Sequence, residues 1–83
     1  MGQATRTQAQ LGTYLRRARK AKGLTQRDLS ECISKRQATI SNLETPEGGA
    51  TLDTLFAVLS ALDLELVVRP RTKATRAELG NIF

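Results

Sequence analysis

The sequence predicts an all-α fold: a bundle of four to five short helices followed by a single β-strand. Three observations predict it. Apolar residues recur at three- and four-residue intervals from Leu11 to Leu62, the spacing that lines one face of a helix. Capping and breaking residues interrupt that pattern at Thr7, Gly23, Thr25, Pro46, Gly48 and Thr51. Beyond Asp63 the period shortens to two, in the run from Leu64 to Arg69. The chain has 83 residues, enough for one domain with a modest core, and domains of this size often gain stability from a second subunit.

Thr7 is placed to cap a first helix, with Gln10 three residues on to complete a capping box, and Leu11, Leu15 and Ala18 follow at helical spacing. Gly23 ends this helix, and the basic residues of its last turn suit the helix dipole. Thr25 caps a short second helix with Asp28 at its third position and Leu29 and Ile33 on its buried face. Ser34 and Lys35 form a tight turn. A third helix follows, with Ala38, Ile40 and Leu43 as apolar positions and Glu44 near its end. Pro46, Gly48 and Gly49 make a loop, and Thr51 caps a fourth helix whose apolar stripe is Leu52, Leu55, Phe56, Leu59 and Leu62.

In the strand, Leu64, Leu66 and Val68 share one face, and Pro70 closes the element. A lone strand leaves its backbone groups unpaired, so its simplest partner is the same strand of a second copy. Residues 1–69 are therefore expected to form the folded and dimerising domain. Residues 70–83 are expected to be a mobile, polar and basic tail carrying the apolar pair Ile82 and Phe83.

The composition excludes several chemistries. There are no histidines and one cysteine, so neither a Ser–His–Asp triad nor a Cys/His zinc cluster is possible. No nucleophile–base constellation or phosphate-cradling glycine loop is visible, so no enzyme, cofactor or metal is expected. A single cysteine forms no internal disulfide, which points to a reducing cytosol. Cys32 reads as an inert thiol rather than a redox switch, since no adjacent cation activates it. Tyr14 reads as a packing residue. No apolar run reaches membrane-spanning length and no secretory signal is evident, so a cytoplasmic protein without a membrane partner is expected.

Net charge is +5, unevenly placed. Residues 1–44 hold nine basic residues against three acids, residues 45–69 carry a net −3, and residues 70–83 a net +2. A strongly basic half is what phosphate binding requires; the alternative is a solvated surface kept for solubility.

Two short helices joined by a tight turn, the second rich in small polar residues, make a helix-turn-helix. In that arrangement the second helix enters the major groove of double-stranded DNA by its N-terminal residues. Here these are Arg36, Gln37, Ala38, Thr39, Ser41 and Asn42. Arginine pairs with guanine and glutamine with adenine, and the methyls of alanine and threonine meet that of thymine. Base contacts are accordingly assigned to Arg36, Gln37, Ala38, Thr39 and Ser41, while Ile40 and Leu43 face the core. Backbone contacts are assigned to Arg16, Arg19, Lys20, Thr25, Gln26, Arg27, Lys35 and Asn42, and the dimer interface to Leu64, Leu66, Val67 and Val68.

Three stretches carry a family resemblance: Leu11-Gly12-x-x-Leu15-Arg16-x-x-Arg19, Gly23-Leu24-Thr25-Gln26-x-x-Leu29, and Gln37-Ala38-Thr39-Ile40-Ser41-Asn42-Leu43-Glu44. Together they resemble the Xre/Cro-type repressors from about Leu11 to Leu64, which implies a lambda-repressor-like bundle. The run Gln37–Asn42, the Thr51-Leu52 helix start and the Leu64–Val68 strand are similar to HipB-type antitoxins. That resemblance implies a homodimer in the bacterial cytosol, associated with the nucleoid. It also implies binding to operator DNA, inactivation of a HipA-type serine/threonine kinase toxin, and a C-terminal tail that reaches the toxin through Ile82 and Phe83. In the family a glutamine at Gln26 contacts a phosphate and braces the recognition helix, and residues at Arg19 and Glu44 pair. Two positions depart from the pattern. Ser34 stands where the turn usually has glycine, so it either keeps a negative φ or takes a left-handed conformation at a cost. Lys35 stands where an apolar residue usually plugs the turn, so it snorkels or the turn packs differently. A stand-alone repressor without a toxin, and a protein-interaction module without DNA, are the competing readings; the small polar recognition helix argues against the latter.

Overall fold

The structure is a computed structural model and describes residues 4–71. Four helices follow one another: α1 (Gln8–Ala21), α2 (Gln26–Cys32), α3 (Gln37–Glu44) and α4 (Leu52–Ala61). Three start on a threonine hydroxyl that takes up an amide left free by the first turn. Thr7 Oγ accepts from Gln10 N at 3.1 Å, Thr25 Oγ from Asp28 N at 3.0 Å and Thr51 Oγ from Thr54 N at 3.2 Å. At Thr25 the box is complete, since Asp28 Oδ2 accepts from Thr25 N at 2.9 Å. The box expected at Thr7 is corrected: Gln10 Oε1 reaches back one residue further and accepts from Arg6 N at 2.7 Å. Arg36 stands at the N-cap of α3 and supplies no side-chain cap.

Three helices end alike. After α1, Leu24 N donates to Arg19 O and Gly23 N to Lys20 O. After α2, Lys35 N donates to Ser30 O and Ser34 N to Glu31 O. After α4, Leu64 N donates to Leu59 O and Asp63 N to Ser60 O. Each is a Schellman closure, which places the residue after the cap in the left-handed region. Gly23 (φ 73°) does so freely, whereas Ser34 (φ 56°) and Asp63 (φ 57°) carry a Cβ there. Ser34 therefore takes the costly one of its two expected conformations. Ser34→Gly is expected to add about 1 kcal/mol and to raise the melting temperature by about 4–8 °C, read by circular dichroism; an unchanged midpoint would show that the turn is unstrained.

The core is Leu15, Leu29, Ile40, Leu43, Val58, Leu59 and Leu62, with Leu11, Ala18, Leu24, Ile33, Leu55 and Leu64 packed around it. Buried Thr54 and Ser30 are satisfied locally, Thr54 by Thr51 and Ser30 by the Arg27 carbonyl. The stripe expected on α4 is wider than this core. Leu59 and Leu62 are buried, but Leu52 is 69% exposed and Phe56 51%. Leu52 and Phe56 stand one turn apart, and nothing among the described residues lies over them.

Among the described residues there are four helices rather than five, and no strand. The single chain does not form the Leu64–Val68 strand expected to pair across a dimer. Leu64 is half-buried, while Leu66, Val67 and Val68 are exposed, so the alternation does not divide into a buried and an open face. A ladder needs a neighbour for its amides and carbonyls, and the described residues of one copy offer none. Most of the expected tail, with Ile82 and Phe83, lies outside the described residues.

Candidate DNA interface

The α2–turn–α3 unit holds the candidate interface. α3 buries Ile40 and Leu43 against α1 and α2, which fixes its inner side. Arg36, Gln37, Ala38 and Asn42 are then exposed, with Thr39 and Ser41 half-buried. The base-reading residues named from the sequence are thus gathered on one short element. Ala38, counted among the apolar positions of α3, is on its open side rather than in the core.

Beneath this surface lies a buried ion pair. Arg19 Nε donates to Glu44 Oε2 at 2.7 Å and Nη2 to Glu44 Oε1 at 3.0 Å, a two-pronged contact between side chains 7% and 4% exposed. Arg19 Nη1 donates to the Leu24 carbonyl at 2.7 Å, and Gln26 Nε2 donates to Glu44 Oε1 at 3.1 Å. One carboxylate thus joins α1 and the start of α2 to the last residue of the recognition helix, and Arg19 ties in the α1–α2 turn. No buried side-chain nitrogen or oxygen among the described residues lacks a partner. Gln26 braces α3 as the family resemblance implies. The assignment of Arg19 to the DNA backbone is corrected: its guanidinium is buried and occupied, so it supports α3 from below.

The other cations stand at the surface. Arg16, Lys20 and Lys35 are exposed, and Arg27 is exposed beside Glu31 at 3.5 Å. Arg17, which the sequence reading passed over, is exposed next to Arg16. Lys35 is exposed and does not plug the turn; half-buried Ile33, just before it, packs against the core instead. Thr25 spends its hydroxyl on the helix cap. The Thr25 backbone N–H, its hydroxyl and then the Arg27 charge hold the Asp28 carboxyl below its usual 3.8, so the first turn of α2 keeps its anion. No cluster of metal-ligating side chains occurs among the described residues, and none of their helices is long and apolar enough to cross a membrane.

A buried-backed recognition helix behind a capped scaffold helix defines a helix-turn-helix protein. The helix-turn-helix family model matches residues 15–68. The chain belongs to this family and, within it, to the HipB-type antitoxins. It is 37% identical over 59 residues to antitoxin HipB of Escherichia coli strain K12, a match spanning 71% of this chain and 67% of that protein. Among solved structures it is similar to HipB in a complex with a 20-mer named O4, at 32% identity and a TM-score of 0.78, covering 86% of this chain and all of the other. It is equally similar to a chain of a HipA–HipB–O2–O3 complex, with the same identity, TM-score and coverage.

Proposed function

We propose that this chain is a dimeric antitoxin that binds operator DNA sequence-specifically, represses its own operon and inhibits a HipA-type serine/threonine kinase in the bacterial cytosol. The observation that carries the reading is the exposed row Arg36, Gln37 and Ala38 on a helix whose other side is anchored by Ile40, Leu43 and the Arg19–Glu44–Gln26 network. The relatives support both halves of it, since they are named antitoxins and one is seen together with HipA and O2–O3.

In this reading Arg36, Gln37, Ala38, Thr39 and Ser41 meet base edges. Arg16, Lys20, Arg27 and Lys35 meet phosphates, helped by Thr25, Gln26 and Asn42. The dimer forms through Leu64, Leu66, Val67 and Val68 with the open side of α4, and Ile82 and Phe83 of the C-terminal segment engage the kinase.

Fluorescence titration with operator and random duplex tests the DNA half. Gln37→Ala is expected to cost about 1–3 kcal/mol on operator and little on random DNA, with affinity for both falling steeply as salt rises. Equal losses on the two duplexes would make Gln37 a positioning residue, and a flat salt dependence would remove the electrostatic basis. Calorimetry against a HipA-type kinase, with and without Gly80–Phe83 on this chain, tests the toxin half; a stand-alone repressor binds no kinase in either form.

A further inference from the structure

Two glycines touch the last turn of α3 where no side chain fits. A Cβ at buried Gly12 of α1 would lie 2.6 Å from the Leu43 carbonyl oxygen and 3.4 Å from Glu44 Cα. A Cβ at Gly48 would overlap the Asn42 carbonyl oxygen and lie 2.7 Å from its carbon and 3.0 Å from its Cα. Non-bonded carbons prefer about 3.5–4.0 Å. Both neighbours are backbone, which cannot swing aside as a side chain does. Gly48 does not have a positive φ, so the backbone conformation there would admit other residues; only the close approach excludes them.

The loop bearing Gly48 is itself tied to α3. Thr45 Oγ donates to the Ser41 carbonyl at 2.7 Å, Thr45 N to the Asn42 carbonyl at 3.3 Å, and Gly48 N to the Thr45 carbonyl at 2.9 Å. The carbonyl that a Cβ at Gly48 would strike is therefore one that closes the end of α3.

From this we infer that Gly48 is a positioning residue for DNA readout. With Gly12 it clamps the backbone of Asn42–Glu44 and so sets the angle at which Arg36, Gln37 and Ala38 are presented. The inference rests on the DNA-binding reading above. α3 has eight residues, about 12 Å of rigid helix, so a displacement at its C-terminal end is carried to the N-terminal end. Hydrogen bonds to base edges tolerate only a few tenths of an ångström, whereas long lysine and arginine side chains still reach phosphates after a shift. Disturbing the clamp thus lowers specificity more than non-specific affinity.

Gly49 supplies the internal control. A Cβ there would meet only the Gln8 side chain, Nε2 at 3.2 Å, which is free to move. The test compares a duplex selected by the wild-type chain from a random pool with its scrambled counterpart. Gly48→Ala is expected to lower the selected-to-scrambled affinity ratio by about tenfold or more, the loss of one or two base contacts, with scrambled binding nearly unchanged. Gly49→Ala should keep the wild-type ratio. Thr45→Val removes the hydroxyl tie from an exposed position without adding bulk, and is expected to lower the ratio in the same sense. If Gly48→Ala fails to fold, Thr45→Val decides alone. A wild-type ratio in folded Gly48→Ala, or in Thr45→Val when that variant decides, overturns the clamp. A wild-type chain that selects no sequence overturns the DNA reading and the clamp together.

Discussion

Glu44→Ala is expected to cost about 3–5 kcal/mol, because it leaves the Arg19 guanidinium buried with the Leu24 carbonyl as its one remaining partner. It also strands the Gln26 amide that Glu44 accepts from. A domain of this length has a total stability of roughly 4–12 kcal/mol, so the variant is expected to melt tens of degrees below the wild type at about 4–8 °C per kcal/mol. Thermal denaturation followed by circular dichroism checks this. The double variant Arg19→Met with Glu44→Leu should lose less than Glu44→Ala, since it removes both charges and keeps the volume filled. A loss below about 1 kcal/mol for Glu44→Ala would mean that Arg19 finds water when its partner is gone, as an exposed pair does.

That network shows where the sequence was legible and where it was not. Thr7, Thr25 and Thr51 announce three helix starts because a capping hydroxyl acts over three residues. Gly23 likewise marks one left-handed closure. The same closure at Ser34 and Asp63 is less legible, since the hydrogen bonds that impose it come from backbone groups that every residue carries. Ile40 and Leu43 declare the inner side of α3 by spacing alone. Arg19 does not declare its burial: an arginine in a basic helix reads as surface, and what takes it inside is a carboxylate 25 positions away. The family implies a partly buried pair there; the side chains are in fact almost fully enclosed.

Gly12 and Gly48 mark a different limit. Gly12 lies in a family motif and Gly48 in a loop, yet what each one touches depends on how α1 and the α3–α4 loop pack on α3. Composition carries no trace of that distance. The α4 stripe and the alternating run after Asp63 are legible only in part, for a further reason. Their patterns are real, but they count apolar positions without saying which copy of the chain covers them. Leu59 and Leu62 are covered by their own chain; Leu52, Phe56, Leu66, Val67 and Val68 are left exposed by the described residues.

Phe56→Asp is expected to convert the proposed dimer to monomers at micromolar concentration while leaving the fold of each copy intact. Phe56 is 51% exposed and belongs to no part of the buried core, so a carboxylate there is hydrated in the single chain. In a two-fold dimer joined through α4 the same substitution places two carboxylates in an apolar contact with Leu52 and its symmetry mate, which desolvates them without a counter-ion. Operator affinity should fall with the dimer. Two linked recognition helices bind as one because the second engages at the effective concentration set by the first, a gain of about 10²–10⁴ over a single helix. The loss is therefore expected to be of that order, with no residue of α2 or α3 altered. Sedimentation velocity reads the assembly, titration with operator reads the affinity, and circular dichroism confirms that the four helices persist. A variant that still sediments as a dimer and binds operator at wild-type strength would remove α4 from the interface and leave the Leu64–Val68 segment to join the copies alone.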